Sequence, residues 1–186
     1  TRDMFLKEGK VDDEASKTGP LASATPGALA AYDLALTKHG KLKLADLLLP
    51  AAEIAENGFV LDEVYARKLA ATADRLKRFD ESRKLFFDAN GAPLKKGDLL
   101  RQPDLARSLR AIAEHGTDWF YRGEYAGKVE AWMRANGGFL RKEDFANYAP
   151  ALREPLRTTY RGHEIIGMPP VSSATGRWSC CRAGTA

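Results

Sequence analysis

The chain has 186 residues, of which 44% are apolar and 29% charged, with a formal net charge of +4. That length is enough for one domain with a sizeable core, and no apolar run reaches the ~18 residues that a membrane-spanning helix requires. The basic clusters (Lys38, Lys41, Lys43; Arg75, Lys77, Arg78; Lys95, Lys96) are broken up by acidic residues, so solvated surface is expected rather than a nucleic-acid stripe.

The N-terminus, TRDMFLKEGK, has no apolar segment of the kind a signal peptide carries. It also lacks an initial methionine, so whatever preceded Thr1 is expected to have been removed. After a short helical or extended piece at Thr1 to Leu6, the polar run KEGKVDDEASKTGP reads as a mobile loop.

Helix is expected from Thr25 to Lys77 in three elements. Thr25 is placed to cap the first and Pro26 to occupy its first turn, and Gly40 is placed to end it in a left-handed turn. Leu44, Leu47, Leu48, Ala51, Ala52, Ile54 and Ala55 repeat at helical spacing and predict a second helix stopped by Asn57-Gly58. Pro50 falls inside that pattern, where a break, a kink or a nearby helix start is expected. This stretch is expected to form paired, alanine-rich, closely packed helices. A third helix is expected over about Asp62 to Lys77, with Asp62 as cap and Val64, Leu69, Ala70, Ala73 and Leu76 facing inward.

Residues 79–101 are dense in turn formers (Asp88-Ala89-Asn90-Gly91-Ala92-Pro93) and read as a loop with a short hairpin. Helix returns from Pro103 to His115, with Leu105, Leu109 and Ile112 on one face and Gly116 as the stop. Another helix is expected from about Glu124 to Asn136, ended by Gly137-Gly138, and a short one near Lys142 to Tyr148. From Pro155 the pattern becomes strand-like, with a hairpin of Leu156 to Tyr160 and His163 to Met168 around Arg161-Gly162, closed by Pro169-Pro170. The expected class is therefore mainly α with a small C-terminal β-hairpin (α+β).

Residues 174–186 fit no pattern. Trp178, Cys180, Cys181 and two arginines crowd a segment without an amphipathic face, and it is read as a non-native tail such as a translated frameshift. Resequencing the coding DNA would test that. The adjacent cysteines have no ligand partner nearby and indicate neither a disulfide nor a metal site.

Certain motifs along the chain carry a resemblance. They are Arg2-Asp3-Met4-Phe5, Thr25-Pro26-Gly27, Pro50-Ala51 with Gly58-Phe59, Pro93-Leu94 with Gly97-Asp98, and Asp104-Leu105-Ala106 with Ser108-Leu109. Phe120-Tyr121-Arg122-Gly123, Gly137-Gly138-Phe139-Leu140 with Asp144, Tyr160-Arg161-Gly162, and Met168-Pro169-Pro170 with Ser172-Ser173 complete the series. In this order and spacing, residues 1–173 resemble the large subunit of gamma-glutamyltranspeptidases (glutathione hydrolases), relatives of the cephalosporin acylases.

The resemblance implies an N-terminal-nucleophile hydrolase that cleaves γ-glutamyl amides without a metal or organic cofactor. In such enzymes self-cleavage exposes a threonine at the start of the small subunit, and its own α-amine serves as general base. In the family the nucleophile lies downstream of the Met-Pro-Pro motif. The carboxylate-gripping arginine lies upstream of the Arg-Asp-Met-Phe motif, so Arg2 does not take that role. The expectation is a truncated large-subunit region that is inactive alone and forms homo-oligomers or pairs with a separate small subunit. The alternative is a binding or scaffold protein. The family is commonly periplasmic or extracellular.

No residue is assigned a catalytic, substrate-binding or metal-binding role. Thr1 reads as a trimmed chain start, because Thr-Arg-Asp-Met provides neither a partner threonine nor oxyanion donors. Ser172-Ser173 reads as a structural turn. His39, His115 and His163 lack ligand spacing, and the first two lie beside glycines at predicted helix ends, where an imidazolium suits the helix dipole. Asp118 to Tyr121 and Trp132 read as core and interhelix packing.

Overall fold

The computed structural model describes residues 3–169. It separates into two units, residues 1–149 and 150–186. Thr1, Ser172, Ser173, Cys180, Cys181 and the 174–186 tail lie outside the described residues.

The first unit opens with a two-residue hairpin, β1 (Leu6–Lys7) and β2 (Lys10–Val11), followed by a 3-10 turn at Pro20–Ala22. The sequence predicts a loop here. Glu8 and Gly9, at φ 53° and 77°, turn the chain tightly enough to pair its two sides. Helices α1 (Ala28–His39) and α2 (Leu44–Asn57) come next. Two expectations for α1 fail. Its N-cap is Gly27 rather than Thr25, and Gly27 has no side chain with which to cap it. Gly40 is extended, at φ −80° and ψ 159°, not left-handed. Glycine fits there because a Cβ would lie 2.7 Å from the Leu36 carbonyl oxygen and 2.8 Å from Leu36 Cα.

Helix α2 continues through Pro50 without a break, forgoing the one hydrogen bond that residue 50 would donate to Asp46. Asp46 Oδ2 accepts from the Lys43 N–H at 3.0 Å, so the carboxylate secures the helix start. The two alanine-rich helices are not closely paired. α2 packs instead on α5 (Pro103–His115), and the residues it buries there are Ala52 and Ala55. Ala106 is buried on the α5 side. These small side chains let two backbones approach, and the Gln102 N–H reaches the Ala55 carbonyl at 2.7 Å.

Asp62 caps α3 (Glu63–Leu76) as expected, accepting from the Tyr65 N–H at 2.7 Å. Of its expected inward residues, Leu69 and Ala73 are buried and Leu76 is half-buried, whereas Val64 and Ala70 are exposed. On α5 Ile112 is buried and Leu109 half-buried, but Leu105 is exposed. In both helices the stripe is narrower than the run of apolar residues. The 79–101 region is more ordered than its turn formers suggest. It contains helix α4 (Asp80–Phe86), with acids in its first turn and bases in its last. After the Asp88 turn, β4 (Leu99–Leu100) pairs with β3 (Phe59–Val60), residues some forty positions back.

Helices α6 (Thr117–Tyr121), α7 (Glu124–Ala135) and α8 (Lys142–Ala146) complete the unit. Two cores form. One gathers Leu61, Leu69 and Leu100 under Leu76, Leu85, Phe86 and Leu94; the other gathers Tyr121, Ala126 and Phe145. Trp132, expected in packing, is 47% exposed, because Met133 and Ala126 are the residues that α7 turns inward.

The second unit holds the predicted hairpin, β5 (Leu156–Tyr160) and β6 (His163–Gly167), antiparallel with Thr158 opposite Ile165. Arg161 and Gly162 turn it at φ 49° and 79°. Among the described residues helix accounts for about half, and no helix is long and apolar enough to cross a membrane.

Candidate functional site

The Thr25-Pro26-Gly27 motif leads into a close-packed aromatic cluster. Gly27 sits where a Cβ would overlap the Tyr148 hydroxyl. Beside it the Tyr121 hydroxyl donates to the Pro26 carbonyl at 2.8 Å and accepts from the Ala30 N–H at 3.0 Å. That N–H belongs to the first turn of α1 and has no partner within the helix, so Tyr121 supplies the cap that Thr25 does not. The Tyr121 and Tyr148 rings stack at 5.9 Å between centroids, and Phe120 stacks on Tyr125 at 4.2 Å. Phe145, 1% exposed, closes the cluster from α8.

Burial raises the pKa of Tyr121, with the Tyr148 ring a smaller upward influence and the Ala30 N–H opposing it; burial raises Tyr125 as well. Both phenols therefore stay protonated at neutral pH. Tyr121 holds backbone in place, and neither phenol is suited to act as a base.

A second polar group lies between the N-terminal segment and the end of α3. Asp12, Glu14, Thr18, Arg78 and Asn136 line a cavity of about 350 Å³. Arg78 Nη1 donates to Glu14 Oε1 at 2.6 Å, and this hydrogen bond is the main cause of a lowered Glu14 pKa. The Thr18 hydroxyl is buried there and makes no hydrogen bond of full geometry. The Glu14 carboxylate and Arg78 guanidinium neutralise each other, and the Asp12 carboxylate is held by the Ala15 N–H at 3.0 Å.

A third feature is an apolar groove of about 410 Å³ between α1 and α2, lined by Tyr32, Leu36, His39, Leu44, Leu47 and Leu48 among others. His39 is thus the last residue of α1 and a groove wall. His115 ends α5, with Nε2 3.8 Å from the Glu114 carboxylate, and His163 begins β6 in the other unit. Among the described residues no group of three or more His, Cys, Asp or Glu side chains could hold a metal. Tyr148 and the groove escaped the sequence reading. The small residue of Thr-Pro-Gly was the available sign that something presses on Gly27, but nothing local identifies Tyr148 as the neighbour.

A family model described as gamma-glutamyltranspeptidase matches residues 1–176. The chain belongs to the gamma-glutamyltranspeptidase family. It is 42% identical over 174 residues to the glutathione hydrolase proenzyme of Escherichia coli K12, a match spanning 93% of this chain and 30% of that protein. It is 40% identical over 172 residues to the acylase ACY 1 proenzyme of Pseudomonas sp. SE83, spanning 92% of this chain and 31% of that one. Helicobacter pylori gamma-glutamyltranspeptidase superposes with a TM-score of 0.88 at 38% identity, over 94% of this chain and 50% of the crystallised one. The chain thus spans about a third of the length of these curated relatives, and the fold is the partial large subunit of an N-terminal-nucleophile hydrolase.

Proposed function

We propose that these residues form the helical framework of a γ-glutamyl-transferring, glutathione-hydrolysing enzyme whose nucleophile comes from another part of the family's polypeptide. The superposition on the Helicobacter pylori enzyme carries this reading, because 94% of this chain matches only 50% of that chain. In the proposed reaction an N-terminal threonine hydroxyl attacks the γ-glutamyl carbonyl while its own α-amine takes the proton. The amine of the leaving group departs with a proton, and an ester-linked γ-glutamyl enzyme remains. Water releases glutamate, or an amino acid takes the acyl group as a new amide. The residues described here support that centre and perform no step in it, so the 186-residue chain is inactive alone.

The test is release of chromophore from a γ-glutamyl anilide, with and without an acceptor dipeptide. No release is expected from the chain alone, and release is expected when the remainder of a family polypeptide is co-produced with it. Saturable release by the chain alone, abolished by Thr1→Ala, would overturn the reading.

A scaffold role is the second reading, favoured by the apolar side chains left exposed on helices and strands, Leu49, Ile54 and Val60 among them. On either reading the isolated chain self-associates. Light scattering over a wide concentration range is expected to show oligomers, and a monomer throughout would contradict this.

A further inference from the structure

We infer that the groove between α1 and α2 is the seat of a convex apolar element with an acidic border, supplied by the portion of the family's polypeptide outside this region. The inference rests on the two-part reading above and assigns it a surface.

Helix α1 has alanine or leucine at seven of its twelve positions, yet buries no residue among the described ones. A helix in a finished fold covers such a stripe. Its neighbour α2 spends its small residues on α5, and Leu47 and Leu48 are left to the groove. Tyr32 and Leu47, at 63% and 45% exposure, mark how much apolar surface stays in water. The shape argues against a two-fold contact of this groove with its own copy. A two-fold contact sets the same patch against itself, and a concave groove facing its own copy stays empty. A ridge from a different surface is needed.

Charge narrows the chemistry. Lys38 lies in the last turn of α1, and Lys41 and Lys43 lie in the loop that joins the two helices beside the groove. All three are exposed, and none is in an ion pair among the described residues. The nearby Asp46 carboxylate accepts from the Lys43 N–H and keeps its charge, so the three lysines leave a net positive border. An element with apolar centre and acidic rim therefore meets both requirements. The relatives supply the length, since the matched region is 30% of the Escherichia coli proenzyme.

The chain would be co-produced with the remainder of that proenzyme as a separate polypeptide. Co-purification and amide hydrogen exchange would be measured for the native chain, for Leu47→Asp, and for a triple Lys38→Glu, Lys41→Glu, Lys43→Glu variant. Association is expected, with exchange over residues 32–48 slowed about tenfold or more. Each variant is expected to weaken association at least about tenfold, with its thermal midpoint held close to the native value. Association with undiminished strength in both variants, and protection elsewhere, would overturn the docking surface while leaving the two-part reading intact. No association would overturn both. Self-association of the native chain that Leu47→Asp abolishes would assign the groove to a second copy, contrary to this inference.

Discussion

The two ends of α1 are built in opposite ways. At its start, Tyr121 holds the Pro26 carbonyl and the Ala30 N–H, Tyr148 presses on Gly27, and Phe145 seals the cluster. At its end the same helix borders an open apolar groove and buries nothing. One helix thus belongs to a finished core at one end and to an uncovered surface at the other. The difference shows which contacts the chain completes for itself and which apolar surface it leaves in water.

The largest expected effect breaks the finished end. Phe145→Ala removes a 1%-exposed ring and is expected to cost about 3–5 kcal/mol in chemical denaturation. Gly27→Ala forces a Cβ onto the Tyr148 hydroxyl and is expected to cost about 1–3 kcal/mol. A Gly27→Ala, Tyr148→Phe double variant, which removes the clashing oxygen, should recover part of that loss. Tyr121→Phe keeps the ring but deprives two backbone groups of their partner, so a loss of about 1–2 kcal/mol is expected.

A smaller effect concerns the α2–α5 pairing. Arg110 forms a two-pronged ion pair with Glu56, donating to Oε1 at 3.1 Å, and chiefly through that hydrogen bond holds the Glu56 carboxyl below its ordinary value of 4.5. Its stabilising contribution is therefore complete above pH 4.5 and disappears as pH falls through the depressed folded value. The pair is exposed to solvent, so Glu56→Gln should flatten the acid limb of the stability profile only slightly. The smallest change in stability is expected at the uncovered end. Leu47→Asp should stay within about 0.5 kcal/mol of the native chain, because Leu47 already meets water. A loss comparable to that of Phe145→Ala would erase the distinction between the two ends.

The sequence reading succeeded where one short segment contains its own instructions. Asp62 before α3, Gly58 and Gly116 after their helices, and Arg161-Gly162 between β5 and β6 act within a few residues of themselves. It failed where a distant neighbour decides the outcome. Thr25 was displaced as cap by Tyr121, nearly a hundred positions away, and β3 found its partner beyond two helices. Helix α4 was hidden by its seven-residue length and by the turn formers after it. The family motifs made the assignment legible, but the groove was not, since exposed and buried leucines look alike in a periodic pattern.

The most direct test is amide hydrogen exchange of the isolated chain, followed residue by residue by NMR. The Ala30 N–H lies in a first helical turn, where amides normally exchange freely, yet it is predicted to be protected by Tyr121 in the native chain and unprotected in Tyr121→Phe. If Ala30 exchanges as freely as an uncapped helix start in the native chain, the aromatic cluster does not close by itself. The contrast between a finished and an unfinished end would then be wrong.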